Sequence, residues 1–196
     1  MDSHEEYWNR FTITDKNRGD LGGNLRHGDT KAILPSFWRY LVERFAVRSV
    51  LDVGCGEGHA LNVFHRLGVV AHGIDGLQQN VENATFPIAL HDLSKSPYIY
   101  PCDMVYCVEV VEHIKIDFID FLMSTLTNAP VVIMTHGVPG QLGYHHVNLQ
   151  TSEYWIQKFH EHGYTLSIDN DHFKELASRE VPGSYFSDTG LVFLKN

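Results

Sequence analysis

The feature that most constrains this chain is a glycine-rich stretch set directly behind a short apolar run. Ser49-Val50-Leu51-Asp52-Val53 is followed at once by Gly54-Cys55-Gly56-Glu57-Gly58. The first segment has the length and branched content of a buried strand, and the residues after the glycines put Ala60, Val63, Phe64 and Leu67 on one helical face. A strand that passes to a helix through glycines can turn sharply, let a ligand approach the backbone, and aim free amides at it. Such a turn belongs to an open α/β sheet, where ligands sit at the carboxyl ends of the strands at the point where strand order reverses.

The rest of the chain keeps that rhythm. Val69 to Ile74 reads as the next strand, with Gly68 placed to end the helix before it. The polar segment after Gly76 reads as a helix, and Pro87–Leu90 and Met104–Val108 as further strands. Ile114, Phe118, Phe121, Leu122 and Leu126 then share a helical face, and Val131–Met134 is a fifth strand. Thr151 has the character of a helix N-cap before Trp155, Ile156 and Phe159. Tyr164–Ile168 and Leu191–Leu194 are the last strands, separated by a long polar connection that breaks the alternation. Strands alternating with helices predict a parallel sheet covered on both faces.

Residues 1–47 stand apart as an arm. They carry the glycine-rich stretch Arg18-Gly19-Asp20-Leu21-Gly22-Gly23-Asn24, read as loop, and then a helix beginning near Pro35 with Leu34, Phe37, Trp38, Leu41 and Phe45 on one stripe. With Tyr7, Trp8, Phe11 and Trp38, this arm is the only sizeable material available to cover a site as a lid, and the alternative is a helix packed on the sheet behind a disordered tail. Residues 48–196 are expected to form one domain.

Composition narrows the function classes. At 196 residues the chain fits one domain with a sizeable core, and 43% hydrophobic residues with no membrane-length apolar run argue against a membrane protein. The acidic start Met1-Asp2-Ser3-His4-Glu5-Glu6 is unlike a secretory leader. Cys55, Cys102 and Cys107 lack zinc-type spacing, so a reduced, cytoplasmic setting is expected. A formal charge of −9 opposes a long grip on a phosphate backbone, so nucleic acid is not the expected partner.

The glycine spacing is informative. A dinucleotide fingerprint needs G-x-G-x-x-G, which Gly54 and Gly56 begin but His59 fails to complete. The third glycine is Gly58, giving G-x-G-x-G behind the acid Asp52. Asp75, at the end of Gly73-Ile74-Asp75-Gly76, is placed to accept ribose hydroxyls.

Val50-Leu51-Asp52-Val53-Gly54-Cys55-Gly56-Glu57-Gly58 resembles the first motif of class I S-adenosylmethionine-dependent methyltransferases, and Gly73-Ile74-Asp75 their second. The stretch Cys102-Asp103-Met104-Val105-Tyr106-Cys107-Val108-Glu109-Val110-Val111-Glu112-His113 resembles the fourth-strand motif of their small-molecule, type 11/12-like branch. The resemblance covers about residues 48–195. It implies a Rossmann-like three-layer sandwich whose seven-stranded, mostly parallel sheet ends in an antiparallel strand. It also implies a bound S-adenosylmethionine held by Asp52, Gly54, Cys55, Gly56 and Gly58. Its ribose would lie on Asp75 and Gly76, its adenine beside Asp92 and Leu93, and its sulfonium end near Val108, Glu109 and His113.

Methyl transfer to a hydroxyl needs a base, and histidine is suited to it. His113, His136 and the pair His145-His146 follow strands that would face the cofactor, and His146, before the Thr151 helix start, is the foremost candidate. Each could instead hold a loop by hydrogen bonds. No metal is assigned, because the adjacent His145 and His146 would rarely converge on one ion. His146-Val147-Asn148 before a T-x-E helix start resembles methyltransferases of glycan and secondary-metabolite pathways. It suggests O-methylation of a small polar acceptor. The alternative is a methyltransferase-like module that binds the cofactor or a partner without turnover.

Overall fold

The computed structural model describes residues 12–196. Tyr7, Trp8 and Phe11 of the arm lie outside the described residues. In chain order the elements are β1 (Thr12–Thr14), β2 (Gly22–Leu25), α1 (Pro35–Arg44), β3 (Ser49–Val53), α2 (His59–Arg66), β4 (Val70–Asp75), α3 (Gln78–Glu82), β5 (Ala89–Leu90) and β6 (Met104–Cys107). Two short 3-10 turns, at Val111–His113 and Ile116–Phe118, lead into α4 (Ile119–Leu126). The chain ends with β7 (Val131–Met134), α5 (Ser152–Glu161), β8 (Tyr164–Leu166), α6 (Asn170–Glu180), α7 (Tyr185–Thr189) and β9 (Leu191–Lys195).

Seven strands form one sheet in the order β5-β4-β3-β6-β7-β9-β8. Strands β3 to β7 pair in parallel, and β9 runs antiparallel to both β7 and β8. The reversal of order falls between β3 and its two neighbours, β4 on one side and β6 on the other. That is the switch point where a crevice opens at the carboxyl ends of the strands.

Side-chain alternation along each strand builds two apolar layers. Leu51, Val53, Val105, Cys107, Val132 and Met134 point to one face, where Leu122 of α4 and Trp155 and Phe159 of α5 cover them. Val50, Met104, Tyr106, Val131 and Ile133 point to the other, under Trp38 of α1, Phe64 of α2, Phe173 of α6 and Phe186 of α7. Both faces are therefore dry, which is why the parallel strands read as continuous apolar runs.

Local signals account for several boundaries. Thr151 accepts the Tyr154 N–H and starts α5. Gly68 ends α2 at a φ of 81°, a left-handed conformation. Leu34 cannot cap α1, and a distant acid takes the task instead. The Glu180 carboxylate, at the end of α6, accepts the N–H groups of Ser36 and Phe37 at 2.8 Å each.

The polar connection that breaks the alternation before the last strand holds α6 and α7, whose Phe173, Ala177 and Phe186 are buried in the second layer. Within the loop-rich arm, β1 and β2 pair as an antiparallel hairpin. Trp38 packs into the core, its indole N–H donating to the Tyr106 hydroxyl at 2.9 Å. Among the described residues no helix is long and apolar enough to cross a membrane.

Candidate active site

A cavity of about 1090 Å³ opens at the carboxyl ends of β3, β4 and β6. Its size is at the upper end of small-molecule sites, room for a cofactor and a second small ligand. The β1–β2 hairpin forms one wall.

The floor is the turn after β3. Gly54, Gly56 and Gly58 all adopt positive φ. At Gly54 a side chain is excluded twice over, since a Cβ would also strike Val110 across the crevice. Asp75 anchors this turn: its Oδ2 accepts the Gly56 N–H at 2.9 Å, and its Oδ1 accepts from the Leu77 N–H at 2.8 Å and the Asn80 amide at 3.0 Å. Burial raises the Asp75 pKa against these donors, and burial beside Asp75 pushes Asp52 up to about 8.

The arm is fastened over this floor. Arg18 donates to Asp92 Oδ2 at 2.8 Å, the Asn24 and Asn80 amides exchange hydrogen bonds at 3.1 Å, and the His27 N–H donates to Glu57 at 2.9 Å. Although part-burial opposes it, bonding from Ser94 and Arg18 holds Asp92 below the usual carboxylate range.

Of the residues expected at the cofactor, Asp52, Gly54, Cys55, Gly56, Asp75, Gly76, Asp92, Leu93, Val108, Glu109 and His113 line the cavity. Gly58 does not. A Cβ there would meet Phe86, Ile88 and Leu61, so its place is in the packing behind the turn.

The wall opposite the hairpin follows β6 and β7. Glu109 takes a left-handed backbone, φ 57°, and is held by Thr135, which accepts its N–H at 2.8 Å and donates to its Oε1 at 2.9 Å. The next turn carries Glu112 and His113. The Glu112 carbonyl accepts the N–H groups of Val147 and Asn148 at 2.9 and 3.0 Å, and the Asn148 amide reaches the Val111 carbonyl at 3.3 Å. These clips bring the loop after β7 against the turn after β6. The rings of His113 and His146 consequently lie 5.1 Å apart, nearly perpendicular.

Glu112 is fully buried, and neither carboxylate oxygen has a hydrogen-bond donor. Its nearest acidic neighbour is Glu109, within hydrogen-bonding reach, and burial raises the pKa of both. Two carboxylates in such contact need a shared proton or a cation between them. Burial, together with His146 and His145, pushes His113 down to about 4, and burial lowers His146. Both imidazoles are therefore neutral at physiological pH, each with an unpartnered Nδ1.

The four histidines of the sequence analysis thus separate. His113, His145 and His146 line the cavity. His136 is buried and does not: its Nδ1 faces the Gly137 carbonyl at 3.2 Å and its Nε2 the Ser152 hydroxyl at 2.9 Å, so it ties loops together. His146 does not stand alone: one ligating atom each from Glu112, His113 and His146 lie within 4.8 Å of one another. The expectation of no metal weighed only the adjacent pair His145 and His146. The pair that forms is His113 with His146, from different loops. Glu112 was absent from the candidate residues, though its spacing in Glu109-Val110-Val111-Glu112-His113, at the end of a strand, was the available signal. Asp29 and Tyr185, joined by a 2.7 Å hydrogen bond on the cavity wall, carried no signal because their partnership is made 156 residues apart.

Residues 27–179 match the methyltransferase-domain family. The chain belongs to that family. No curated protein is matched by sequence. Solved structures with this fold include magnesium protoporphyrin IX methyltransferase from Synechocystis PCC 6803 with bound S-adenosylmethionine, 14% identical. It covers 81% of this chain and 75% of its own at a TM-score of 0.58. A TehB-like S-adenosylmethionine-dependent methyltransferase from Corynebacterium glutamicum is 18% identical, covering 82% and 88%, at 0.60. The methyltransferase domain of bacterial CtHen1-C is 18% identical, covering 83% and 96%, at 0.57. At these identities the likeness is one of fold, and the methyltransferase sheet is its content.

Proposed function

We propose that this methyltransferase moves the methyl group of S-adenosylmethionine to a hydroxyl of a small polar acceptor. The observation that carries the reading is the meeting of His113 and His146 on the cavity wall beside the glycine turn, with the buried Glu112 carboxylate behind them. The donor lies along Gly54 and Gly56, its ribose on Asp75 and its adenine toward Asp92 and Leu93. This leaves the sulfonium methyl near Glu109 and the acceptor against the cluster. The acceptor oxygen attacks the methyl carbon in line, the carbon–sulfur electron pair returns to sulfur, and the hydroxyl proton leaves toward the cluster. Positioning and exclusion of water supply most of the barrier reduction.

The lining favours a neutral or cationic acceptor. Asp20, Asp29, Asp92 and Glu109 face the cavity, and Lys115 is the one Lys or Arg among its described lining residues. A phosphate backbone would meet one cation and several acids there, which with the net charge of −9 disfavours a nucleic-acid acceptor. The reaction, like the fold, is compatible with a cytoplasmic protein.

The test is an acceptor screen of sugars, phenols and other small alcohols, read as formation of S-adenosylhomocysteine. Acceptor-dependent turnover with a small alcohol supports the proposal. Turnover confined to RNA or DNA, or none in a protein that binds the donor, overturns it.

A further inference from the structure

We propose that Glu112, His113 and His146 bind a divalent metal ion, with Glu109 as a fourth donor from the cavity side. The inference concerns these side chains alone and stands independently of which acceptor is methylated.

Three features of the cluster are hard to account for without a cation. First, Glu112 is fully buried and both its oxygens lack donors, the most costly state for a carboxylate in a folded protein. Second, the adjacent acid adds to the cost: Glu109 stands within hydrogen-bonding reach of Glu112, and the two carboxylates can keep that contact only through a shared proton or a cation between them. Third, the imidazoles are arranged as ligands. His113 and His146 each leave Nδ1 buried without a hydrogen-bond partner, and the two rings meet 5.1 Å apart, centroid to centroid. A neutral imidazole with a free lone pair held inside the protein beside a carboxylate is a ready metal ligand.

The spacing agrees. Metal–ligand bonds of about 2.0–2.2 Å put ligands of one ion at most roughly 4.4 Å apart. The ligating atoms of Glu112, His113 and His146 already fall within 4.8 Å of one another, so side-chain adjustments of tenths of an ångström would close the shell. Glu109 is kept in its left-handed backbone by Thr135, an expense of conformation that aims its carboxylate at Glu112. Two carboxylates and two neutral imidazoles match the charge of a dication, and the mixed oxygen and nitrogen donors favour first-row ions such as Mn²⁺, Fe²⁺, Co²⁺ or Zn²⁺ over Ca²⁺. The site opens on the cavity, so an acceptor oxygen could join the shell and lose its proton more readily.

The experiment is titration of chelator-stripped protein with Co²⁺, followed by its visible absorption, and with Mn²⁺ by electron paramagnetic resonance. We expect one saturable ion per chain, with nitrogen coupling from two imidazoles. Glu112→Gln and His146→Ala should each weaken Co²⁺ binding by more than the 10–100-fold that loss of an outer partner costs. S-adenosylhomocysteine affinity, measured without metal, should stay near the parent value and verifies folding. The absence of a saturable signal overturns the proposal, as does binding that both variants retain, which would place the ion on other histidines. Spectra of the parent protein lacking imidazole nitrogens overturn it even if a variant fails to fold.

Discussion

Thr135 holds Glu109 from both ends, accepting its backbone N–H at 2.8 Å and donating to its carboxylate at 2.9 Å. One side chain on the loop after β7 thereby fixes a left-handed residue at the end of β6, and with it the wall on which Glu112 and His113 stand. Thr135→Val keeps the shape and removes both bonds. Leaving a buried N–H and a carboxylate without partners should cost about 1–3 kcal/mol of stability, read from denaturant midpoints. An unchanged midpoint would show that Glu109 keeps its conformation unaided.

Gly143 is where His146 gains its space. A Cβ at Gly143 would collide with all three nearest atoms of the His146 ring, and Gly143 itself is free of positive φ, so Gly143→Ala acts on the histidine and not on backbone strain. A displacement of this kind should lower turnover about 10²-fold with cofactor affinity near normal. Equal turnover in the two proteins would remove His146 from the reacting geometry.

Asp75 should matter to the cofactor twice, through ribose and through the turn it anchors. Asp75→Ala should weaken S-adenosylhomocysteine binding by about 1–3 kcal/mol in a calorimetric titration. NAD should not bind to the parent protein, since the glycine spacing departs from the dinucleotide pattern.

The pH dependence of stability follows from Asp52. Burial and Asp75 raise its folded pKa to about 8 from the usual 3.8, so the folded state holds a proton that the unfolded chain releases. Stability from this group is fully present below pH 3.8 and is lost as pH rises through 8. Without cofactor, the melting temperature should fall between about pH 4 and 8, and Asp52→Asn should flatten that fall. A parent profile that rises with pH over this range would contradict the assignment.

Much of this was readable from the chain because the signals were local. The turn glycines, Asp75, the Thr151 cap and the alternation of strand and helix are each set by neighbours a few residues away. The β1–β2 hairpin was not, because Gly22 and Gly23 read as loop and their pairing with Thr12–Thr14 depends on docking over the cavity. Helices α6 and α7 were hidden by polar residues whose few apolar positions, Phe173, Ala177 and Phe186, are too sparse for a clear stripe. The cluster of Glu112, His113 and His146 needed the fold itself, since Glu112 and His146 meet only when the Val147 and Asn148 amides dock on the Glu112 carbonyl.

The most direct test of methyl transfer to a hydroxyl uses donor carrying a ¹³C methyl group, incubated with the acceptor found by screening. The methyl carbon of the product should show the chemical shift of a methyl bonded to oxygen, with one S-adenosylhomocysteine formed per methyl transferred. A label bonded to nitrogen or carbon, or donor consumed with no label in the acceptor, would contradict the account.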